Sequence, residues 1–520
     1  MSDPRDEAML NQLLRRMDWR FLLPDFVFQR AKCFGPGSLG AAVTQVSSVL
    51  VSPDHSGGDC DLVVVHNPDT ITLQRAAGSL SQDGSLYCDW SLLSLMTPRR
   101  ARRRVQMAGL KVTGIYWAWP IPSRRSPSFW IPVDNPAAAR HFLGSRPKPR
   151  LCLLRFVHAV VRLVWQSAYQ LGLIFPVCTI ATRPAAPQPS ALLDRIVSDN
   201  WPEQPEPSRL TWLLLTGGEH SMNKVVALGF ADERALPGLA VKISRAPESA
   251  TALMREAKML QAIQDLPGPE LIGVPRVHFV RECGDSVVVG ETPLSGTPLF
   301  TTLDPRSYRA VALKGTHWLA DLAGRPEATA RAEWWDRIVE PVLADFERNF
   351  ATVIEADAIM TTRNVLETLP DLPLVIEQRD FSPWNVFIGT DGNLIVLDWE
   401  SAEIRGLPAL DLIYFLTYLA FFAEGATGLP RHLDAYRASI DPASFYGGVT
   451  AECLDYYLRM TGLEVGIIKP LRTLTWLLHS RSEYRRFAVD ARGRPTTKTL
   501  RSSLFLCLWE EELHSLIAYR

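Results

Sequence analysis

The chain has 520 residues, 47% of them hydrophobic and 21% charged, with 55 Lys+Arg against 56 Asp+Glu. That length excludes a single small binding module and that apolar fraction excludes a disordered chain, so two or three packed units are expected. The near-zero net charge is a cancellation, because residues 1–185 hold 22 basic and 12 acidic side chains and residues 186–520 hold 33 and 44.

Along the first half, short apolar runs bounded by turn residues alternate with possible helices. Candidate strands are Ser47 to Val51, Asp61 to Val65, Ser85 to Cys88, Val112 to Tyr116 and Phe129 to Pro132, an alternation that favours an α/β layer structure. Met1 to Asp18 is polar where a secretory signal would be apolar, and the eight cysteines show no Cys-x-x-Cys pair, so free thiols and a cytoplasmic location are expected. Leu163 to Thr182 runs 20 residues without a charge. Its Gln166, Gln170 and Pro176 point to a buried helix ending near Gly172 and a strand around Val177 to Thr182 rather than a membrane span. Basic clusters at Arg99, Arg100, Arg102, Arg103 and Arg104, at Arg124 and Arg125, and at Arg146, Lys148 and Arg150 suggest a docking face for an anionic partner or a membrane surface. No nucleic-acid motif accompanies them, and nucleic acid is not expected as a partner.

Residues 19–183 resemble class I S-adenosylmethionine-dependent methyltransferases. Ala31 to Phe34 would be the first strand, followed by Gly35, Gly37 and Gly40, and Asp61 to Pro68 (DLVVVHNP) would be the fourth. Gly35 and Asp61 stand too close for the usual two strand-helix units between them, and PGSLG replaces Gly-x-Gly-x-Gly. The resemblance therefore implies a shortened, degenerate Rossmann-like domain in which S-adenosylmethionine is not expected to bind.

Arg183 to Arg209 is rich in proline and reads as a linker. Leu210 to Leu299 is strand-rich. In it, LLLTGGEHSMNKVV places Gly217, Gly218, Ser221 and Asn223 between apolar runs, the form of a strand-turn-strand flap whose backbone N–H groups approach phosphates. Lys242 lies in the next strand (LAVKISR), Glu256 in the helix after it, and VVVGETPLSGTPL carries Glu291 and Leu294. The remainder is helical except around Pro373 to Glu400. There, short strands flank a polar loop from Gln378 to Trp384 and a Thr-Asp-Gly-Asn turn at 390–393, so Asp380, Asn385 and Asp398 emerge from neighbouring loop ends. Phosphoryl transfer needs such a set: a carboxylate to take the proton of the attacking hydroxyl, and oxygen ligands to hold Mg²⁺.

Asp380-x-x-x-x-Asn385 followed by Asp398, with Pro408-x-x-Asp411 beyond, resembles the catalytic and metal-binding loops of the aminoglycoside phosphotransferase and choline kinase group, relatives of protein kinases. The resemblance implies Asp380 as base with Arg379 and Asn385 beside it, and Asn385 and Asp398 on Mg²⁺. It assigns Lys242 to the ATP phosphates, Glu256 to an ion pair holding Lys242, and the backbone from Glu291 to Leu294 to the adenine. The common His two residues before the base is here Gln378, which can still donate and accept hydrogen bonds.

The expected organisation is α/β plus α+β. A Rossmann-like domain (1–185) and a linker (186–206) precede a bilobal protein kinase-like domain with an antiparallel-sheet N-lobe (207–300) and a helical C-lobe (301–520). The expected function is ATP- and Mg²⁺-dependent phosphorylation of a small-molecule hydroxyl acceptor. The alternatives are a catalytically weak kinase-like nucleotide-binding scaffold, or a two-headed protein with an active methyltransferase.

Overall fold

The structure is a computed structural model that describes residues 13–119, 128–144, 163–184, 191–200, 210–216, 223–266 and 271–517, apart from positions 56, 165, 170, 175, 232, 233 and 492. Gly217, Gly218 and Ser221, the basic pair Arg124 and Arg125, and Arg146, Lys148 and Arg150 lie outside the described residues. The chain forms two compact units, one of residues 1–258 with 275–293 and one of residues 259–274 with 294–520.

The first unit is built on one sheet. β1 (Phe28–Phe34), β2 (Ser47–Val51), β3 (Cys60–His66) and β4 (Leu80–Asp89) run parallel in the order β2-β1-β3-β4. Helices α1 (Gly37–Thr44) and α2 (Thr70–Ser79) make crossovers between them, the connection a parallel pair requires. Apart from its two ends and Asp61, β3 is a continuous apolar run with Leu62 to Val65 fully buried, as expected of a strand covered on both faces. α3 (Pro98–Met107) follows. Then β5 (Lys111–Trp119), β6 (Phe129–Pro132), α4 (Pro136–Gly144) and β7 (Val177–Thr182) continue the sheet antiparallel in the order β4-β7-β5-β6. Every strand expected in this half is present within a few residues of its reading.

Three expectations are corrected. Leu163 and Val164, read as part of a buried helix, are 64% and 59% exposed, although the strand after them is β7 as expected. The stretch read as a linker contains α5 (Leu192–Asn200), whose Leu193, Ile196 and Val197 enter the main core at helical spacing.

The third correction concerns the boundary between the expected domains. β8 (Thr211–Leu215), β9 (Val225–Phe230), β10 (Leu239–Ile243), α6 (Pro247–Gln264), β11 (Val277–Cys283) and β12 (Ser286–Glu291) supply the antiparallel strands expected of a kinase-like N-lobe. β8 also pairs with β6, so the sheet runs on through 12 strands. One core joins Trp19, Tyr87 and Ile180 to Trp212, Val241 and Val288. A buried ion pair reinforces the join, with Arg245 donating from Nε and Nη2 to the two oxygens of Asp18 at 3.0 and 2.9 Å. Breaking such a bidentate buried pair costs about 3–5 kcal/mol, so β1 to β7 and β8 to β12 belong to one compact unit.

The second unit is mainly helical. The long helices α7 (Tyr308–Ala323), α8 (Glu340–Phe350), α9 (Ala356–Leu366), α10 (Leu410–Glu424), α11 (Leu429–Ile440), α12 (Phe445–Thr461), α13 (Ile468–Asp490) and α14 (Leu504–Ile517) carry a few short strands. β13 (Gly296–Pro298) pairs with β17 (Val386–Gly389), which forms a hairpin with β18 (Leu394–Val396). β14 (Ala328–Thr329) pairs with β15 (Leu372–Pro373), and β16 (Val375–Glu377) with β19 (Glu403–Gly406). α10 is buried along most of its length, which explains its apolar sequence. No single described helix is long and apolar enough to cross a membrane.

Candidate active site

In the first unit, Lys242 lies on β10 opposite Val289 of β12. Its Nζ stands 2.8 Å from Glu256 Oε1 and 2.9 Å from Glu291 Oε2, while Lys224, just before β9, reaches Glu256 Oε2 at 2.6 Å. Burial pushes the Glu256 carboxyl up, but Lys242 and Lys224 outweigh it and hold the group down to about 2. Burial opposes the Lys242 charge, yet Glu256 and Glu291 together raise its pKa above the ordinary lysine value. The Lys242–Glu256 pair expected from sequence is therefore formed. Asn223 lies immediately before Lys224 at the entry to β9, and Leu294 opens the longer segment of the second unit.

Two residues here escaped the sequence reading. Lys224 was not singled out in the sequence. Glu291 was expected to act through its backbone, but its side chain is 2% exposed and turned onto Lys242, with Oε1 buried and unpartnered. Burial, and then the Glu256 charge, raises the Glu291 pKa, against the pull of Lys242. Were Lys242 to hold a polyphosphate, Glu291 would compete with it for the one ammonium, and Glu291→Gln would then be expected to tighten Mg·ATP binding by about threefold to tenfold, measured by calorimetry. Weaker binding would mean that the carboxylate itself contacts the nucleotide.

In the second unit, the loop after β16 and the hairpin β17–β18 are bound into one assembly. Asn385 Nδ2 donates to Asp380 Oδ2 at 2.6 Å and to the Asp380 carbonyl at 3.1 Å. Leu397 N donates to the Asn385 carbonyl at 3.0 Å, which puts Asp398 beside the loop. Gln378 ties the two together: its Oε1 accepts from Asp380 N at 2.8 Å, and its Nε2 donates to the carbonyls of Leu397 and Asp398 at 3.1 and 2.7 Å. The amide thus performs the buttressing expected of a His, using both its donor and its acceptor.

The backbone is strained where the chemistry would be. Of the five non-glycine residues with positive φ among the described residues, three lie here: Arg379 (φ 66°), Asp398 (φ 61°) and Ala409 (φ 65°); the others, Asn67 and Leu95, lie in the first unit. Such conformations cost about 1–3 kcal/mol each and persist only where surrounding contacts over-determine them. Asp411 supplies those contacts, accepting from the backbone N–H of Gln378 at 2.6 Å and of Arg379 at 2.8 Å. It sits in the first turn of α10, but its carboxylate fixes the loop across from it, a role its reading as a helix-start residue did not reveal. Burial, with Glu377 adding to it, pushes Asp411 up to about 8, against those two N–H donors.

Arg379, grouped with the catalytic residues from sequence, turns to Glu377 (3.2 Å) and Glu403 (3.8 Å). It neutralises a fully buried glutamate, over which Gly406 leaves no room for a Cβ. Burial, and secondarily the Asp398 charge, pushes the Asp380 carboxyl up to about 7. Asn385 and Asp398 offer a carboxamide and a carboxylate, the hard oxygen donors that suit Mg²⁺ shared with phosphates. No cluster of three or more His, Cys, Asp or Glu poised for a metal occurs among the described residues.

The acidic residues of the helical region are mostly engaged. Glu403 and Glu452 face arginines 337 and 309, Asp434 and Asp455 pair with Arg437 and Arg459, and Asp441 accepts from Ala443 N. Glu483 accepts from Ser503 Oγ at 2.5 Å, and Glu464 is solvent-exposed. Trp476 is fully buried with its N–H on Tyr436, whereas the His479 ring stacks on Tyr414 at 3.8 Å.

Residues 221–447 match the profile of the phosphotransferase enzyme family (APH). No curated protein matches the chain. Among solved structures, an aminoglycoside-3'-phosphotransferase of type VIII is 17% identical, covering 55% of this chain and 98% of its own at a TM-score of 0.34. A thermostable mutant of another aminoglycoside phosphotransferase, in ternary complex with AMP-PNP and hygromycin B, is 12% identical over 62% of this chain and 98% of its own, at 0.38. An aminoglycoside phosphotransferase from Streptomyces rimosus in complex with ADP and streptomycin is 13% identical over 49% and 90%, at 0.32.

Proposed function

Because residues 221–447 belong to the phosphotransferase enzyme family, we propose that the protein is an ATP- and Mg²⁺-dependent small-molecule phosphotransferase acting on a hydroxyl acceptor. The observation that carries this reading is the Asp380, Asn385 and Asp398 assembly, held by Gln378 and Asp411 with three non-glycine residues in the left-handed region.

Asp380 is the base. Its Oδ2 is fixed by Asn385, and its raised pKa suits proton transfer near neutral pH. The acceptor oxygen bonds to the γ-phosphorus, the bond to the β,γ-bridging oxygen breaks, ADP leaves with that electron pair, and the hydroxyl proton passes to Asp380. Lys242, oriented by Glu256, offers its ammonium to the phosphates. Asn385 and Asp398 would hold Mg²⁺, which neutralises phosphate charge.

Mg·ATP is expected to raise the melting temperature of the purified full chain, and Asp398→Ala to remove that shift. A wild-type protein indifferent to Mg·ATP would sink the reading.

A further inference from the structure

An unbroken run of aromatic rings starts at Asp380, all of it within the helical unit. Tyr414 Oη stands 3.5 Å from Asp380 Oδ1, and its ring lies 4.6 Å from that of Tyr418. Tyr418 meets Trp384 edge to face at 5.0 Å and 84°, and Trp384 meets Phe422 at 5.8 Å and 65°. Tyr414, Tyr418 and Phe422 recur every four residues along α10 and so share one face of it. Exposure grows along the run: Tyr414 is buried, Tyr418 and Phe422 are half-buried, and Trp384, the residue before Asn385, is 37% exposed. The Trp384 indole N–H has no acceptor among the described residues. Core packing accounts for the buried rings and does not account for an open indole in the loop that carries the base.

We propose that Trp384 is the platform on which the acceptor binds, and that the acceptor is a neutral, ring-bearing polyol of the sugar or nucleoside class, stacked on the indole with a hydroxyl presented to Asp380. This rests on the phosphotransferase reading above. Two observations select the class. The rings beside Trp384 touch one another and fill the space between them, so they offer a face, whereas an alkylammonium group is held by several faces around one void. The carboxylates that could read a polyamine are mostly spent on arginines and backbone N–H groups. A flat apolar face with a hydrogen-bond donor at its edge matches the C–H face and hydroxyl rim of a sugar.

The test offers the full chain Mg·ATP with glucose, myo-inositol or adenosine and, separately, with kanamycin or choline, following ADP release and the mass of the product. The expected result is phosphorylation of at least one neutral ring alcohol, with KM for it raised about tenfold in Trp384→Ala, the loss typical of a stacked ring. Trp384→Phe should stay within about threefold of wild type because the aromatic face is kept, with kcat moving less than KM in both variants. Should Trp384→Ala fail to fold, Trp384→Leu keeps bulk without the face and carries the same expectation. Product from kanamycin or choline alone, a KM indifferent to Trp384→Ala and Trp384→Leu, or ATP hydrolysis with no transfer to any neutral probe would each overturn the inference and leave the phosphotransferase reading standing. Absence of a Mg·ATP melting shift in the wild type removes the reading beneath it.

Discussion

Asp380→Asn is expected to lower phosphoryl transfer by about 10²–10⁴-fold, the contribution of a positioned general base, while the melting shift with Mg·ATP persists because Asn385 and Asp398 remain. Asn matches the carboxylate in shape but cannot take the hydroxyl proton. The pH profile gives an independent reading. Burial, and after it the Asp398 charge, raises Asp380 from the ordinary aspartate range to about 7, and a base works only when deprotonated, so kcat/KM falls as pH drops through that pKa. A cation engaged by Asp398 removes the second cause, so raising Mg²⁺ shifts the acid limb below about 7. The stability sign is opposite to that of an ordinary paired aspartate. The folded state keeps the proton to higher pH than the unfolded state, so ionising Asp380 costs stability as pH rises from about 4 towards 7. The check is steady-state ADP release from pH 5 to 9. A variant retaining more than about a tenth of wild-type turnover, or the same acid limb, would remove Asp380 from the role of base.

How far the sequence revealed this site depends on the range of the interactions involved. Asp380, Asn385 and Asp398 are legible because their spacing lies within one strand-loop-hairpin segment, where period-two runs and the Asp391-Gly392 turn set the geometry locally. Lys242 and Glu256 are legible for the same reason, being 14 residues apart on adjoining elements. Glu291, Lys224 and Asp411 were read differently or not at all, since what they do depends on cross-strand register or on a contact more than thirty residues away. Arg379 looked catalytic by adjacency to the base. Its left-handed backbone turns it towards Glu377, and no sequence pattern encodes that. The boundary at the proline-rich stretch failed similarly. Prolines signal breaks in local structure, but the pairing of β6 with β8 and the Asp18–Arg245 ion pair are long-range features.

Asp411→Ala should be the most disruptive single change away from the reacting atoms. Its carboxylate is the acceptor for two successive backbone N–H donors, those of Gln378 and Arg379, in a buried setting. Removing it orphans both, at about 1–3 kcal/mol each. It also releases Arg379 from the constraint that holds φ at 66°, so the loop can relax away from the geometry that aims Asp380. Displacement of a base by about 1 Å costs about 10²-fold in rate. Two linked results are therefore expected: turnover down by at least that factor, and amide exchange of the segment carrying Gln378 and Arg379 faster by about a hundredfold, as local opening becomes cheaper. Asp411→Asn should be intermediate, because one amide oxygen can still accept while the NH₂ group faces the second donor. Gln378 links the loop to Leu397 and Asp398 independently of Asp411, so nucleotide binding through Asp398 should suffer less than turnover. Unchanged exchange together with unchanged turnover in Asp411→Ala would show that the strained loop is held by Gln378 alone.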